Sequence, residues 1–227
     1  MIIECRDLHK EYVADNKRVI AVNDVSFSVK QGEFVVILGH SGSGKTTFLS
    51  LIGGLTVPDS GGVKINGVDN WSQSDENLSN MRNRSIGFIF QFASLIPTLT
   101  ALENILLPLS FGNFPEGGHK RAGEILELVG IEDKANSFPA QLSGGQQRRI
   151  AIARAFINQP DIILADEPTG DLDEDTEKEI LDFFRQYNGR GTTFVVVTHN
   201  THLAQTQKNA RILQMRQGVL SEGPVRR

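Results

Sequence analysis

Residues 39–46 read Gly39-His40-Ser41-Gly42-Ser43-Gly44-Lys45-Thr46, and they concentrate the chemistry of phosphate recognition in one short loop. The pattern is G-x-x-x-x-G-K-[ST]. Its small residues let backbone N–H groups close around phosphate oxygens at the positive end of a following helix. On this reading Gly39, Ser41, Gly42, Ser43, Gly44 and Thr47 cradle the phosphates of a nucleotide. Lys45 reaches the β- and γ-phosphates, and the Thr46 hydroxyl ligates Mg²⁺. The bland alternative is a chance match in a glycine-rich turn. The context speaks against it, because a buried strand precedes the loop and a helix follows.

Hydrolysis needs an acidic site on a neighbouring strand, and Asp166-Glu167 supplies one. Four apolar residues, Ile162, Ile163, Leu164 and Ala165, run directly into the pair. This places it at the carboxyl end of a buried strand, where open α/β sheets gather their ligands. Asp166 would hold Mg²⁺ through water, and Glu167 would polarise the attacking water as general base. The plainer reading is an acidic pair capping the next helix.

These residues need a scaffold, and the hydrophobic pattern provides it. Phe34, Val35, Val36, Ile37 and Leu38 form an unbroken apolar run, the mark of a strand buried on both faces of a parallel sheet. Similar runs at 86–90, 162–165 and 194–197 predict its neighbours. Val25, Phe27 and Val29 alternate with serines, as in a half-buried strand. Residues 19–22 are expected in the same antiparallel region, paired with 2–8, and 63–67 as a short edge strand. Residues 92–157 read mostly as helix. Thr100 and Glu103 make a capping-box pattern there, and Ala122, Ile125, Leu126 and Val129 recur at helical spacing. An amphipathic helix is expected at 175–187, and a terminal hairpin at 211–221. The alternation gives an α/β fold of one domain spanning 1–227: a mostly parallel sheet, an N-terminal antiparallel β region and an inserted helical segment.

Bulk properties narrow the function. The 227 residues carry a formal net charge of −4, which argues against nucleic-acid binding and against adhesion to an anionic bilayer. The Arg148-Arg149 pair is too short to count as a nucleic-acid groove. The lone cysteine, Cys5, allows no internal disulfide and reads as a buried strand residue. No stretch approaches the roughly 20 apolar residues that span a bilayer, and no signal peptide is evident. Any membrane part must come from another chain. His199 and His202 form His-x-x-His without a third ligand, so His202 reads as an exposed helical residue. Trp71 has no evident role beyond packing or surface.

Between the two phosphate motifs lies Leu142-Ser143-Gly144-Gly145-Gln146, which resembles the signature sequence of ABC ATPases. A serine and two glycines at a helix N-terminus make a second anion-binding surface. The other elements of that family fall in order. Gln91 resembles the Q-loop glutamine, Gly170-Asp171-Leu172-Asp173 the D-loop, and His199 the switch histidine. Tyr12 stands where the family often places an aromatic against adenine. His40 replaces a proline frequent at its position, and Asp171 an asparagine.

The resemblance implies an ATPase that uses ATP and Mg²⁺. It implies a homodimer in which two nucleotides are sandwiched head to tail. Each would touch the P-loop of one copy and Ser143, Gly144, Gly145 and Gln146 of the other. Gln91 would read the γ-phosphate and Mg²⁺ at the hinge of the helical lobe. His199 would orient the γ-phosphate and the water, and Asp173 would communicate across the interface. The stretches 52–55, 92–107 and 166–173 are similar to the ATPases of lipoprotein-releasing, macrolide-export and cell-division systems. That implies an integral membrane permease as partner, with no direct bilayer insertion and no nucleic acid. It also implies a place in the cytoplasm, peripheral on the inner face of the membrane. A regulatory scaffold that moves no solute uses the same chemistry. A soluble ABC ATPase of nucleic-acid metabolism is the remaining rival, and its usual coiled coil, zinc cysteines or tandem domain are not in this sequence.

Overall fold

The computed structural model describes residues 1–14, 16–112, 116–170, 172–207 and 209–223. Two strands open the chain, β1 (Ile3–Ala14) and β2 (Lys17–Val29), followed by β3 (Phe34–Leu38) and helix α1 (Lys45–Ile52). Then come β4 (Ser60–Ile65), β5 (Val68–Asp69), α2 (Asp75–Ser85) and β6 (Ile86–Ile89). Three helices follow, α3 (Ala101–Leu106), α4 (Gly118–Leu128) and α5 (Gly144–Phe156). The remainder is β7 (Ile162–Asp166), α6 (Glu174–Gly189), β8 (Thr193–Thr198), α7 (Thr201–Thr206), β9 (Arg211–Arg216) and β10 (Val219–Glu222).

The strands form two sheets. One has six strands in the order β10-β9-β3-β8-β7-β6, parallel except for β10, which closes the expected terminal hairpin. Its inner strands bury both faces. On β3, Phe34 and Val36 point into one core while Val35 and Ile37 point into the other. Phe194/Val196 against Val195/Val197 on β8 repeat the division, which is why these segments read as continuous apolar runs.

The second sheet is antiparallel, in the order β2-β1-β4-β5. Two details differ from the sequence-based expectation. Residues 19–22 face 10–12, with Val22 opposite Lys10 and Val19 opposite Tyr12, not 2–8. Pairing counts outward from Ala14 and Lys17, so the first residues of β2 meet the last of β1. Strand β4 is interior, and the edge is the two-residue β5. The signal was Asn66-Gly67, whose φ values of 51° and 79° suit the two-residue hairpin turn that Asn-Gly favours.

Helices α3 to α7 contribute to the core on one face of the large sheet. Its centre is aromatic: Phe156 of α5 meets Phe183, Phe184 and Tyr187 of α6 and Phe194 of β8. Helix α1 and the antiparallel sheet cover the opposite face, where Phe48 packs edge-on against Phe27. The Thr100–Glu103 capping box forms as expected at the head of α3. Cys5 is buried in β1, and burial pushes its thiol far above the usual range. Among the described residues no helix is long and apolar enough to cross a membrane.

Candidate functional site

Strands β3, β8 and β7 are parallel neighbours, so their carboxyl ends meet at one edge. Leu38 leads into the phosphate loop, Asp166 ends β7, and Thr198 ends β8 just before His199. A cavity of about 530 Å³ opens there, lined by residues 40–47, Gln91, Asp166, Glu167 and His199. The side chains that sequence spacing singled out therefore converge from four separate segments.

The loop is held in shape by the chain around it. Gly39 N–H donates to Thr198 O at 3.2 Å, and Gly218 N–H, in the terminal hairpin, donates to Ser43 O at 3.0 Å. Gly44 adopts a φ of 102°, and a Cβ there would lie 1.9 Å from Ala21 O, so the position admits glycine alone. Lys45 is buried, and its Nζ donates to Gly39 O at 2.7 Å and His40 O at 3.1 Å. The loop's own carbonyls thus fold the ammonium back over the site. Ser43 Oγ is buried without a protein partner, the kind of polar atom that an anion would satisfy.

Across the cavity Thr46 Oγ1 donates to Asp166 Oδ2 at 2.6 Å. Thr46, Asp166 and the amide of Gln91 offer oxygen donors, the set that Mg²⁺ prefers. Burial pushes the Asp166 carboxyl up, and the neighbouring Glu167 charge adds to the effect; the Thr46 hydrogen bond and the Lys45 charge oppose it. Glu167 sits at a φ of 47°, a conformation that non-glycine residues rarely adopt and that clusters at functional sites. Its carboxylate accepts from His199 N–H at 2.9 Å, meets His199 Nδ1 at 2.8 Å and lies 4.0 Å from Lys45 Nζ. A carboxylate beside an ammonium at this edge can take a proton from a water positioned on a phosphate.

Other sequence-predicted residues lie elsewhere. Ser143 caps α5 in a capping box with Gln146, so Gly144 and Gly145 form the helix's exposed to half-buried first turn. None of the four lines the cavity of their own chain. Asp173 caps α6, accepting from Thr176 N–H at 2.9 Å and Thr176 Oγ1 at 2.8 Å. Asp171 lies outside the described residues. Tyr12 does not line the cavity; its cross-strand partner Val19 does, with Ala21. Tyr12 instead carries Lys10 Nζ 5.5 Å from its ring centroid. His202 is exposed on α7, 3.7 Å from Glu177.

The roles of two residues near the site went unread. Thr198 donates to Glu167 Oε2 at 2.6 Å. Arg148, four residues into the signature helix, is buried and donates to the carbonyls of Phe90 and Gln91. Arg154 continues the contact one to two turns later, to Ala93 O at 2.9 Å and Ser94 O at 3.0 Å. No local pattern in the sequence marked Arg148 for this contact.

The family model described as ABC transporter matches residues 22–170. The chain belongs to the ABC transporter family. It is an ATP-binding cassette and an ATPase, with ATP as substrate and Mg²⁺ as cofactor. An uncharacterized ABC transporter ATP-binding protein of Thermotoga maritima is 48% identical, covering 100% of this chain and 96% of that protein. The macrolide export ATP-binding/permease protein MacB of Syntrophobacter fumaroxidans is 41% identical over 96% of this chain. The MacB of Aggregatibacter actinomycetemcomitans is 40% identical over the same share. The chain spans 31% and 34% of those two proteins. Among solved structures, the post-hydrolysis dimer of the ATP-binding cassette MJ0796, bound to ADP and Pi, is similar with a TM-score of 0.90. It is 41% identical, over 97% of this chain and 98% of that one.

Proposed function

We propose that the chain is the ATP-hydrolysing subunit of a transporter of the lipoprotein-release or macrolide-export type. Two copies sandwich two ATP molecules head to tail and drive a membrane permease. One observation carries this reading. The P-loop, Asp166, Glu167 and His199 meet in one cavity, while the signature residues cap an accessible helix N-terminus outside it. A nucleotide held by the first group leaves its γ-phosphate for the second group of another copy. The dimeric state of the cassette MJ0796 supports the same arrangement.

In this mechanism the P-loop N–H groups and Lys45 hold the β- and γ-phosphates. Thr46, Asp166 and Gln91 would hold Mg²⁺, which would supply neutralisation of the phosphate charge. Glu167 takes a proton from water as the water oxygen bonds to the γ-phosphorus and the bond to ADP breaks. His199 fixes Glu167 and faces the γ-phosphate. Val19 and Ala21 supply an apolar wall, and Tyr12 on the adjacent strand extends it toward adenine. Asp173 sets the direction of α6 at the interface.

The partner reading rests on the MacB relatives, whose names join ATP-binding and permease functions in one protein. It is supported by an apolar groove of about 560 Å³ beside Gln91, lined by Leu55, Phe88, Phe90, Leu107 and Phe111. Phe111 is 70% exposed and Phe90 42% exposed, a patch suited to a cytoplasmic helix of the permease. The segment 92–157 forms the helical lobe of a one-domain chain, and the assembly lies on the cytoplasmic face of the membrane.

Glu167→Gln tests the reading. The variant is expected to lose turnover by at least ~100-fold and to shift from monomer to dimer in ATP and Mg²⁺ on a sizing column. Retained turnover would sink the assignment of the base, and a chain that stays monomeric with permease present would sink the sandwich.

A further inference from the structure

The carboxylate of Glu167 is gripped on both oxygens. Oε1 receives His199 N–H at 2.9 Å and His199 Nδ1 at 2.8 Å. An ionised carboxylate only accepts, so Nδ1 carries the proton in this contact. Oε2 receives the Thr198 hydroxyl at 2.6 Å. Thr198 is 1% exposed, and its own oxygen accepts Asn200 N–H at 2.9 Å, which turns the hydroxyl proton toward Glu167.

Asn200 is fixed in turn. Its Oδ1 caps α7 by accepting His202 N–H at 2.8 Å, and its Nδ2 donates to Glu177 Oε1 on α6 at 3.1 Å. Glu177 Oε1 also meets Thr169 Oγ1 at 3.3 Å, in the loop that follows Glu167. The loops after β7 and β8 are thereby tied to the first turns of α6.

Each carboxylate oxygen offers two lone pairs in its plane. Oε1 spends both on His199, whereas Oε2 spends one on Thr198. We infer that Thr198 is a positioning residue for hydrolysis: its hydroxyl fixes Oε2 and so, with His199 on Oε1, sets the plane of the carboxylate that takes the water proton. The water proton passes to the Glu167 carboxylate as the water oxygen bonds to the γ-phosphorus and the bond to ADP breaks. This inference rests on Glu167 being the base. A buried threonine that merely satisfies its hydroxyl would affect stability and leave the turnover of folded protein alone.

The test compares Thr198→Val, Thr198→Ser and Glu167→Gln with the natural chain. Steady-state ATP hydrolysis is normalised to folded, nucleotide-binding protein. Thr198→Val is expected to lower kcat by about 10- to 100-fold with KM for ATP·Mg²⁺ within about twofold, because a small misplacement of a reacting group is costly. Thr198→Ser is expected to recover kcat to within about threefold. Where the valine chain fails to fold, Thr198→Ala is measured in its place, with the same expectation. The inference is overturned if the valine or alanine variant keeps normal kcat, if the loss falls in KM, or if serine fails to rescue. The two readings separate cleanly. Turnover retained in Glu167→Gln overturns the base itself, while a dead Glu167→Gln beside a normal Thr198→Val overturns the positioning role alone.

Discussion

His199 Nδ1 lies 2.8 Å from Glu167 Oε1, joining the residue after β8 to the residue after β7. With the proton on Nδ1, Nε2 of the neutral ring is an acceptor, and it becomes a donor to phosphate only in the doubly protonated ring. His199→Ala removes both functions and leaves the P-loop untouched. We expect kcat to fall by about 100-fold or more while ATP binding is preserved. Single-turnover hydrolysis beside a nucleotide-binding titration checks this. Normal single-turnover rates would show that the histidine is a spectator.

Two glycines of the same loop predict unequal outcomes. A methyl group on Gly44 would stand 1.9 Å from the Ala21 carbonyl oxygen, whereas one on Gly42 meets nothing within 4 Å. Gly44→Ala should therefore abolish nucleotide binding. Gly42→Ala, at a φ of 75°, should cost the fold only the ~1–2 kcal/mol of a left-handed alanine and weaken binding less than Gly44→Ala does. Calorimetric titration with ATP on both variants decides. Equal affinities would mean that the loop yields where the packing says it cannot.

Arg148 bridges the signature helix and the carbonyls of Phe90 and Gln91. Arg148→Met keeps the stem and removes the guanidinium, leaving two carbonyls without their partner. We expect a loss of about 2–4 kcal/mol in urea unfolding, together with weakened ATP·Mg²⁺ turnover as Gln91 loses its anchor. An unchanged unfolding midpoint would show that water replaces the arginine without cost.

How much of this was legible in the residues themselves depends on distance along the chain. The P-loop is a continuous stretch whose function resides in backbone N–H groups, so its letters are nearly its mechanism. Asp166-Glu167 was legible because an apolar strand aims it. Thr198 and Arg148 act on residues 31 and 57–58 positions away, and no local pattern says where a buried hydroxyl or guanidinium points. Tyr12 shows the limit of position alone. The first strand was expected over residues 2–8, whereas β1 runs on through Tyr12 to Ala14, and the pairing that sets Val19 and Ala21 on the cavity wall is counted from the far hairpin.

Asp166 gives a pH prediction. Burial raises its carboxyl above the unfolded value, so the site contributes stability at acid pH and loses it as pH rises through the folded value. At neutral pH the ionised, buried group is a liability to the fold. Asp166→Asn keeps an oxygen for the Thr46 hydroxyl and removes the charge. In EDTA without nucleotide, its melting temperature should exceed that of the natural chain at neutral pH. The gap should close as pH falls below the ordinary carboxylate range. A gap that widens toward acid would reverse the argument.

The bond from Gly218 N–H to Ser43 O has a consequence for the order of synthesis. The phosphate motif leaves the ribosome early, yet its supports come from the end of the chain: Thr198 O for Gly39, β9 beside β3, and Gly218 for Ser43. A nascent chain halted before Arg211 carries every letter of the motif and the Thr198 carbonyl, but neither β9 nor the Gly218 brace. Full shaping of the phosphate loop is thus expected only once β9 and the terminal hairpin have joined the sheet.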